Sequence, residues 1–294
     1  MIKNVVIDTD AFNEIDDQFA ISYLLANGDK LNTVALYAAP FFNSNSVSPE
    51  DGMIKSYEEI KKLLKMCGRG DLVGKTFKGS NGYLKDESTP VISAAAQDLA
   101  SRAMGYTSDN PLNVIAIGAI TNVASAVLLN PKICDKIRLI WLGGHAEFMP
   151  KPAYEFNMMQ DIFAARVVMS KISDFVRFPC DGAVSEFRIS KPELERFLLN
   201  KNKIGNYLAE TTIKTADSYA YGTDWTRVIW DVTPVAYLLN DGDKFMLVKD
   251  TPLRRPLTDG SYEFEPPTDK TTKTAIYIKR DELMNDLINK ILTL

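Results

Sequence analysis

The stretch Val5-Val6-Ile7-Asp8-Thr9-Asp10-Ala11-Phe12-Asn13-Glu14-Ile15-Asp16-Asp17-Gln18-Phe19-Ala20-Ile21 runs from an apolar strand straight into alternating carboxylates. A helix is expected to begin near Asp16. In open α/β sheets, ligands bind outside the carboxyl ends of the strands, which is where these acids fall. Five carboxylates lie between Asp8 and Asp17, and left unpaired they would repel one another strongly. A hard cation with oxygen ligands relieves that repulsion. Calcium or magnesium is the natural candidate, because no softer ligand is nearby. The competing explanation is that Glu14, Asp16 and Asp17 only favour a helix N-terminus. It accounts for Glu14 and one Asp, but not for Asp8 and Asp10 on a strand end. The expectation is therefore a divalent-cation hydrolytic site in an α/β enzyme.

Working outward, short runs rich in Val and Ile alternate with longer helical stretches. Strands are expected at Asn4–Ile7, Thr33–Ala38, Val114–Ile117, Ile137–Leu142 and Phe175–Phe178, apolar enough to be parallel and covered on both faces. Ser48–Met66 reads as a helix, with Ser-Pro-Glu-Asp at its start and Gly68 as its stop. Thr89–Met104, Asn122–Leu129, Asp161–Ser170 and Pro192–Leu199 read the same way. This alternation predicts a doubly wound, mostly parallel sheet with helices on both faces. The last third is less regular. Helices are expected at Ile204–Tyr221, Asp231–Leu239 and Asp281–Leu292, and strands at Phe245–Lys249 and Thr274–Ile278. An Asp259-Gly260 turn and Pro266-Pro267 fall between those strands. The whole chain, residues 1–294, is expected to form a single domain with an elaboration after about residue 240.

Composition narrows the function classes. Hydrophobic residues make up 46% and charged residues 24%, an ordinary globular balance. A net charge of −4 offers no basic stripe for nucleic acid. No apolar run approaches the ~20 residues needed to span a bilayer, so no membrane partner is expected. The opening Met-Ile-Lys-Asn enters a strand at once, without a leader pattern. Cys67, Cys134 and Cys180 are odd in number and widely spaced, which suits reduced thiols and a cytoplasmic location. His145 is the only histidine, so multi-histidine zinc sites are excluded, as is any His-dependent triad that omits it.

Other residues can complete the site. Asp231 follows the run Val228-Ile-Trp at the start of a helix, where it can serve the site or merely cap the helix. Glu155-Phe156-Asn157 places an acid and an amide two positions apart in an aromatic loop, a pairing able to grip sugar hydroxyls. Together, Asp8-Thr-Asp10 with Asp16-Asp17, Gly118-Ala-Ile-Thr-Asn122, Leu142-Gly-Gly144, Glu155-Phe-Asn157 with Asp161, and Trp230-Asp231 stand in the order found in nucleoside hydrolases. The chain resembles the inosine-uridine-preferring nucleoside hydrolase family from residue 1 to roughly 240.

The resemblance implies N-ribohydrolase chemistry on a ribonucleoside at a tightly bound calcium ion. It assigns Asp10, Asp17 and Asp231 as calcium ligands, joined by the backbone carbonyl of Ile117. It makes Asp10 the general base toward water, gives the ribose diol to Asp16 and Asn157, and gives the 5′-hydroxyl to Glu155. Asp8 orients these groups from behind. It also implies a homodimer or homotetramer.

The chain departs from the family pattern in four places. Five residues, Ala-Phe-Asn-Glu-Ile, separate Asp10 from Asp16, two more than is usual. The sugar-contacting Asn after the second strand is matched best by Asn43, with Asn45 close enough to leave the choice open. The loop Glu147–Pro152 lacks the usual further Asn. Trp230 replaces the common His, which resembles the purine-preferring branch; the other explanation is a buried core indole. His145 is expected to be structural, although it can also lie near the pocket. Tyr219, Tyr221, Asp224 and Trp225 can contact the base or simply pack their helix.

Two rivals stay open at this level. Asp8-Thr-Asp10 also resembles the first motif of haloacid-dehalogenase-like phosphatases, with Asp8 as nucleophile and magnesium as cation. Alternatively, the chain is a nucleoside- or sugar-binding protein impaired in turnover.

Overall fold

Val5 and Ile7 point to one side of strand β1 (Lys3–Thr9) and Val6 to the other, and all three are fully buried. A strand apolar on both faces needs cover on both, and the chain supplies it in two layers. In the computed structural model, which describes residues 2–220, 222–263 and 270–294, β1 leads into helix α1 (Asp17–Ala26). Every residue of α1 from Asp17 to Leu25 is buried. A helix apolar nearly all round belongs in a core rather than on a surface. There follow β2 (Leu31–Ala38), α2 (Pro49–Met66), β3 (Thr76–Lys78), α3 (Ala94–Arg102), β4 (Leu112–Ala116), α4 (Thr121–Leu129) and β5 (Ile137–Leu142). Next come α5 (Phe156–Gln160), α6 (Ile162–Lys171), β6 (Asp174–Phe178), β7 (Arg188–Ser190), α7 (Lys191–Phe197) and α8 (Lys203–Asp217). The chain finishes with β8 (Thr226–Val228), α9 (Val232–Tyr237), β9 (Met246–Pro252), β10 (Thr271–Ile278) and α10 (Arg280–Ile291).

The main sheet runs β3-β2-β1-β4-β5-β6-β10-β9. All neighbours are parallel except β9, which pairs antiparallel with β10. The doubly wound expectation is met. The C-terminal strands join this sheet through β10 against β6. Helices α1, α2, α8, α9 and α10 cover the Val5/Ile7 face, while α3, α4 and α6 cover the Val6 face. The strand order reverses between β1 and β4, and in sheets of this topology the crevice at that point is the ligand site.

Most predicted elements are present, with shifted ends. Helix α2 has the expected start: the Ser48 hydroxyl accepts from the Asp51 N–H at 3.1 Å, Pro49 occupies the first turn, and Gly68 follows at φ +69. Helix α3 starts at Ala94 rather than Thr89. Pro90 disfavours a helical residue before it, and Ser93 is the actual N-cap, accepting from the Ala96 N–H. β1 extends to Thr9, so Asp8 lies within the strand rather than beyond it. The helix expected to reach Tyr221 ends at Asp217; Tyr221 and Pro266-Pro267 lie outside the described residues. Glu155, expected in a loop, is the N-cap of α5. The three-residue strands β3, β7 and β8 were not foreseen. Among the described residues, no helix is long and apolar enough to cross a membrane, and all three cysteines are free thiols.

Candidate active site

Outside the carboxyl ends of β1, β4 and β5 lies a cavity of about 240 Å³, the scale of a small-molecule site rather than a polymer groove. Its wall contains every residue expected at the site: Asp10, Asp16, Asp17, Asn43, Ile117, Glu155, Asn157, Trp230 and Asp231. It also contains Asn13, Glu14, Leu142, His145, Phe156, Cys180 and Asp181.

Asp16, Asp17 and Asp231 each offer a carboxylate oxygen within 4.8 Å of the others, all buried. Asp16 and Asp231 occupy the N-cap positions of α1 and α9, yet neither side chain caps its helix. Capping therefore does not explain them; both carboxylates are turned into the cavity. Asp231 reaches the site because β8 pairs antiparallel with β7 and the Ile229 N–H donates to the Phe187 carbonyl at 2.9 Å. Its own backbone N–H points to Asp16 Oδ2 at 3.4 Å. Asp17 accepts from the Thr9 hydroxyl. Burial first, and the neighbouring carboxylates second, push Asp10 and Asp16 well above the usual carboxylate range, and Asp231 likewise. Burial lifts Asp17 to about 7, against hydrogen bonds from Thr9 and Asp231.

Asp10 belongs to the same charge cluster, though the tightest trio holds Asp16 in its place. Asp10 Oδ2 is buried without a hydrogen-bond partner. An unpaired buried carboxylate oxygen is costly and calls for a cation or a donor. Gly118 makes room for it, since a Cβ there would sit 3.0 Å from Asp10 Cγ. The Trp141 indole N–H holds that turn by donating to the Gly118 carbonyl at 3.2 Å. All ligand atoms on offer are oxygens, and buried acids pushed up by mutual repulsion fit a hard divalent cation.

Asp8 stands behind the cavity and does not line it. Burial raises it to about 7, opposed by Asn122, whose Nδ2 donates to Asp8 Oδ1 at 2.8 Å. A phosphatase nucleophile would have to face the substrate, so the Asp8-nucleophile alternative loses its geometric basis. Asn122 also donates to the Ala38 carbonyl at 3.2 Å and accepts from the Ser80 N–H at 2.7 Å, tying β1, β2 and the loop after β3 to α4.

At the opposite end, Glu155 is pushed up by burial, while N–H groups of Asn157, Gly144 and Met158 at 2.9–3.0 Å and the nearby His145 pull it down. Asn157 Nδ2 donates to the Leu142 carbonyl at 3.1 Å. His145, expected to be structural, belongs to the wall.

The first loop, longer by two residues, is pinned from three sides. Gln18 Nε2 donates to the Ala11 and Glu14 carbonyls, Asn45 Nδ2 donates to the Asn13 carbonyl at 2.8 Å, and Glu14 pairs with Arg227 at 2.5 Å. Asn43 lines the cavity and Asn45 does not, which separates the two candidates geometrically. Trp230 is half-buried: it lines the cavity while packing against the core, and so is not a fully buried core indole. Trp225 donates to Asp217 at the end of α8, Tyr219 stacks on Arg227, and Asp224 is exposed; none of the three lines the cavity. Cys180 and Asp181 were missed, because their position depends on loop packing rather than on any local pattern.

A doubly wound sheet with buried acids gathered at its reversal point defines an α/β protein with a carboxylate cluster able to hold a cation. A family model described as inosine-uridine preferring nucleoside hydrolase matches residues 5–282, and the chain belongs to that family. A pyrimidine-specific ribonucleoside hydrolase of Shigella flexneri is 31% identical over 144 residues, covering 47% of this chain and 45% of that relative. The chain thus spans about half the length of that curated relative. An inosine-uridine preferring nucleoside hydrolase of Leishmania major is 23% identical over 220 residues, 71% of this chain and 68% of the relative. Among solved structures, a plant nucleoside hydrolase superposes with a TM-score of 0.77 at 20% identity over the full length of both chains. A purine-preferring ribonucleoside hydrolase from Gardnerella vaginalis superposes at 0.76 and 18% identity over 99% of this chain and 98% of its own. At these identities the structural likeness speaks for the fold.

Proposed function

We propose that this protein hydrolyses the N-glycosidic bond of ribonucleosides, releasing free base and ribose, at a calcium site. The observation that carries this reading is the convergence of Asp10, Asp16, Asp17 and Asp231 in one cavity with Glu155 and Asn157. Asp10, Asp17, Asp231 and the Ile117 carbonyl are the residues that would hold the cation. When bound, a cation there lowers the pKa of the attacking water and presents positive charge to the ribose diol.

The acids divide by role. Asp10, with one oxygen unpartnered, takes the proton from water as it attacks C1′. The new C–O bond forms as the C–N bond breaks, and the electron pair leaves with the base. Asp16 and Asn157 hold the 2′- and 3′-hydroxyls, Asn43 supports the sugar, and Glu155 accepts from the 5′-hydroxyl. The buried carboxylates stabilise the positive charge that builds on the sugar ring. Trp230 offers an indole face to the base. Stacking of this kind is worth roughly 1–3 kcal/mol in nucleic-acid binders, and it tilts the reading toward purines. Family membership is the basis for expecting a homodimer or homotetramer, which light scattering would measure.

The test is incubation with inosine, guanosine, uridine and cytidine in added Ca²⁺, following free base and reducing sugar. Ribose release is expected, faster from the purine nucleosides. Asp10→Ala should lower the rate by roughly 10²–10⁴-fold, the usual contribution of a general base. Nucleoside binding without release favours a binding protein. Phosphate release from a phosphomonoester with no ribose release sinks the reading.

A further inference from the structure

We propose that His145 fixes specificity for the sugar's 5′-hydroxyl, its Nε2–H donating to the oxygen whose proton Glu155 accepts. This rests on the functional reading above, in which Glu155 faces the 5′ end.

The ring's protonation follows from its neighbour. The Asp181 backbone N–H donates to His145 Nδ1 at 3.1 Å, so the neutral imidazole carries its proton on Nε2. The Asp181 carboxylate lies 3.6 Å from that same nitrogen, a contact that becomes an ion pair only in a charged ring. Among the described residues, none accepts from Nε2.

The backbone that carries the ring is also held firmly. The His145 N–H donates to the Pro152 carbonyl at 2.6 Å, and the Ala146 N–H donates to the Asp181 carbonyl at 2.9 Å. Gly144, the preceding residue, donates its N–H to Glu155 Oε2 at 2.9 Å and accepts from the Cys180 N–H at 2.8 Å. Glu155 and His145 therefore sit on one rigid junction between the loops after β5 and β6, both lining the cavity.

A hydroxyl needs an acceptor for its proton and a donor for its lone pairs. Glu155 is an acceptor only, and its oxygens already take three N–H groups. Asn157 turns its amide nitrogen to the Leu142 carbonyl. The loop Glu147–Pro152 contains no Asn to supply a donor. His145 Nε2–H fills that gap.

The experiment compares inosine with 5′-deoxyinosine, in added Ca²⁺, on wild type, His145→Phe and His145→Gln. His145→Phe should lower kcat/KM for inosine about 5- to 10-fold, the worth of one neutral hydrogen bond, and leave 5′-deoxyinosine within about twofold. His145→Gln, whose amide oxygen can accept from the Asp181 N–H while its nitrogen donates to the sugar, should recover most of the inosine preference. Equal loss on both substrates in both variants means a structural histidine and overturns the assignment, as does no loss on either. Should wild type bind nucleosides without cleaving them, the same comparison on Kd decides. A wild type that neither binds nor cleaves inosine overturns the functional reading, and this assignment with it.

Discussion

Asn43 and Asn45 show how far one side chain's direction matters. Asn43 Nδ2 gives one N–H to Asn13 Oδ1 at 2.5 Å, while its Oδ1 accepts from the Asn45 N–H at 2.8 Å. Asn43 lines the cavity, and its amide nitrogen has a second N–H beyond the one given to Asn13. Asn45 is turned to the Asn13 carbonyl and only braces the loop. Asn43→Ala should therefore raise KM for inosine about tenfold, the cost of a lost hydrogen bond, with kcat changed much less. Asn45→Ala should leave both within about threefold, a loop brace being worth less than a substrate contact. Steady-state kinetics of the pair checks this, and equal effects would refute the distinction.

Asn122, on the first turn of α4, joins elements remote in sequence: Asp8 on β1, Ala38 on β2 and Ser80 after β3. Gly79 is needed beside it, because a Cβ there would meet Asn122 Nδ2 at 2.4 Å and the Ala38 carbonyl at 2.0 Å. Asn122→Ala would leave the Asp8 oxygen, the Ser80 N–H and the Ala38 carbonyl buried and unpaired. The expected loss is on the order of 3 kcal/mol, since each orphaned group costs about 1–3 kcal/mol. Urea unfolding should show a lower midpoint at unchanged slope. A second joint is the β7–β8 pair, which together with the packing of α9 in the core brings Asp231 opposite Asp16 and Asp17.

Taken as a whole, the molecule places a cluster of like charges at the centre of its strongest scaffold. In cation-free protein, Asp17 titrates near 7 against an ordinary value of 3.8, because burial disfavours its charge. A raised folded-state pKa means that the folded state holds more protons than the unfolded state between those values. That stabilising contribution is complete below the unfolded value and is lost as pH climbs through about 7. Chelator-treated protein should therefore lose thermal stability as pH rises from about 4 to about 7. Added Ca²⁺ should abolish most of that slope and, at a hundredfold excess over Kd, add about 2.7 kcal/mol. Scanning calorimetry with and without chelator measures both. A flat profile in the stripped protein would argue against an acid cluster awaiting a cation.

The β1 run, the bounds of α2 and the alternation that builds a doubly wound sheet were readable along the chain. Apolar periodicity, Pro49 and a capping Ser48 act within a few residues of themselves. The short strands were not readable, because three residues carry no period and exist only through their partners. The clustering of acids from Asp8 to Asp17 announced a site through their mutual repulsion, which adjacency in sequence already guarantees. Which acids meet, and what joins them, depended on packing. Asp231 stands 215 residues from Asp16 and touches it through the β7–β8 pair. Asn43 faces inward and Asn45 outward, and His145 belongs to the wall rather than the scaffold. Like-charge repulsion can be counted along a chain, but hydrogen bonds and ligand contacts act over about 3 Å, and the fold sets those distances.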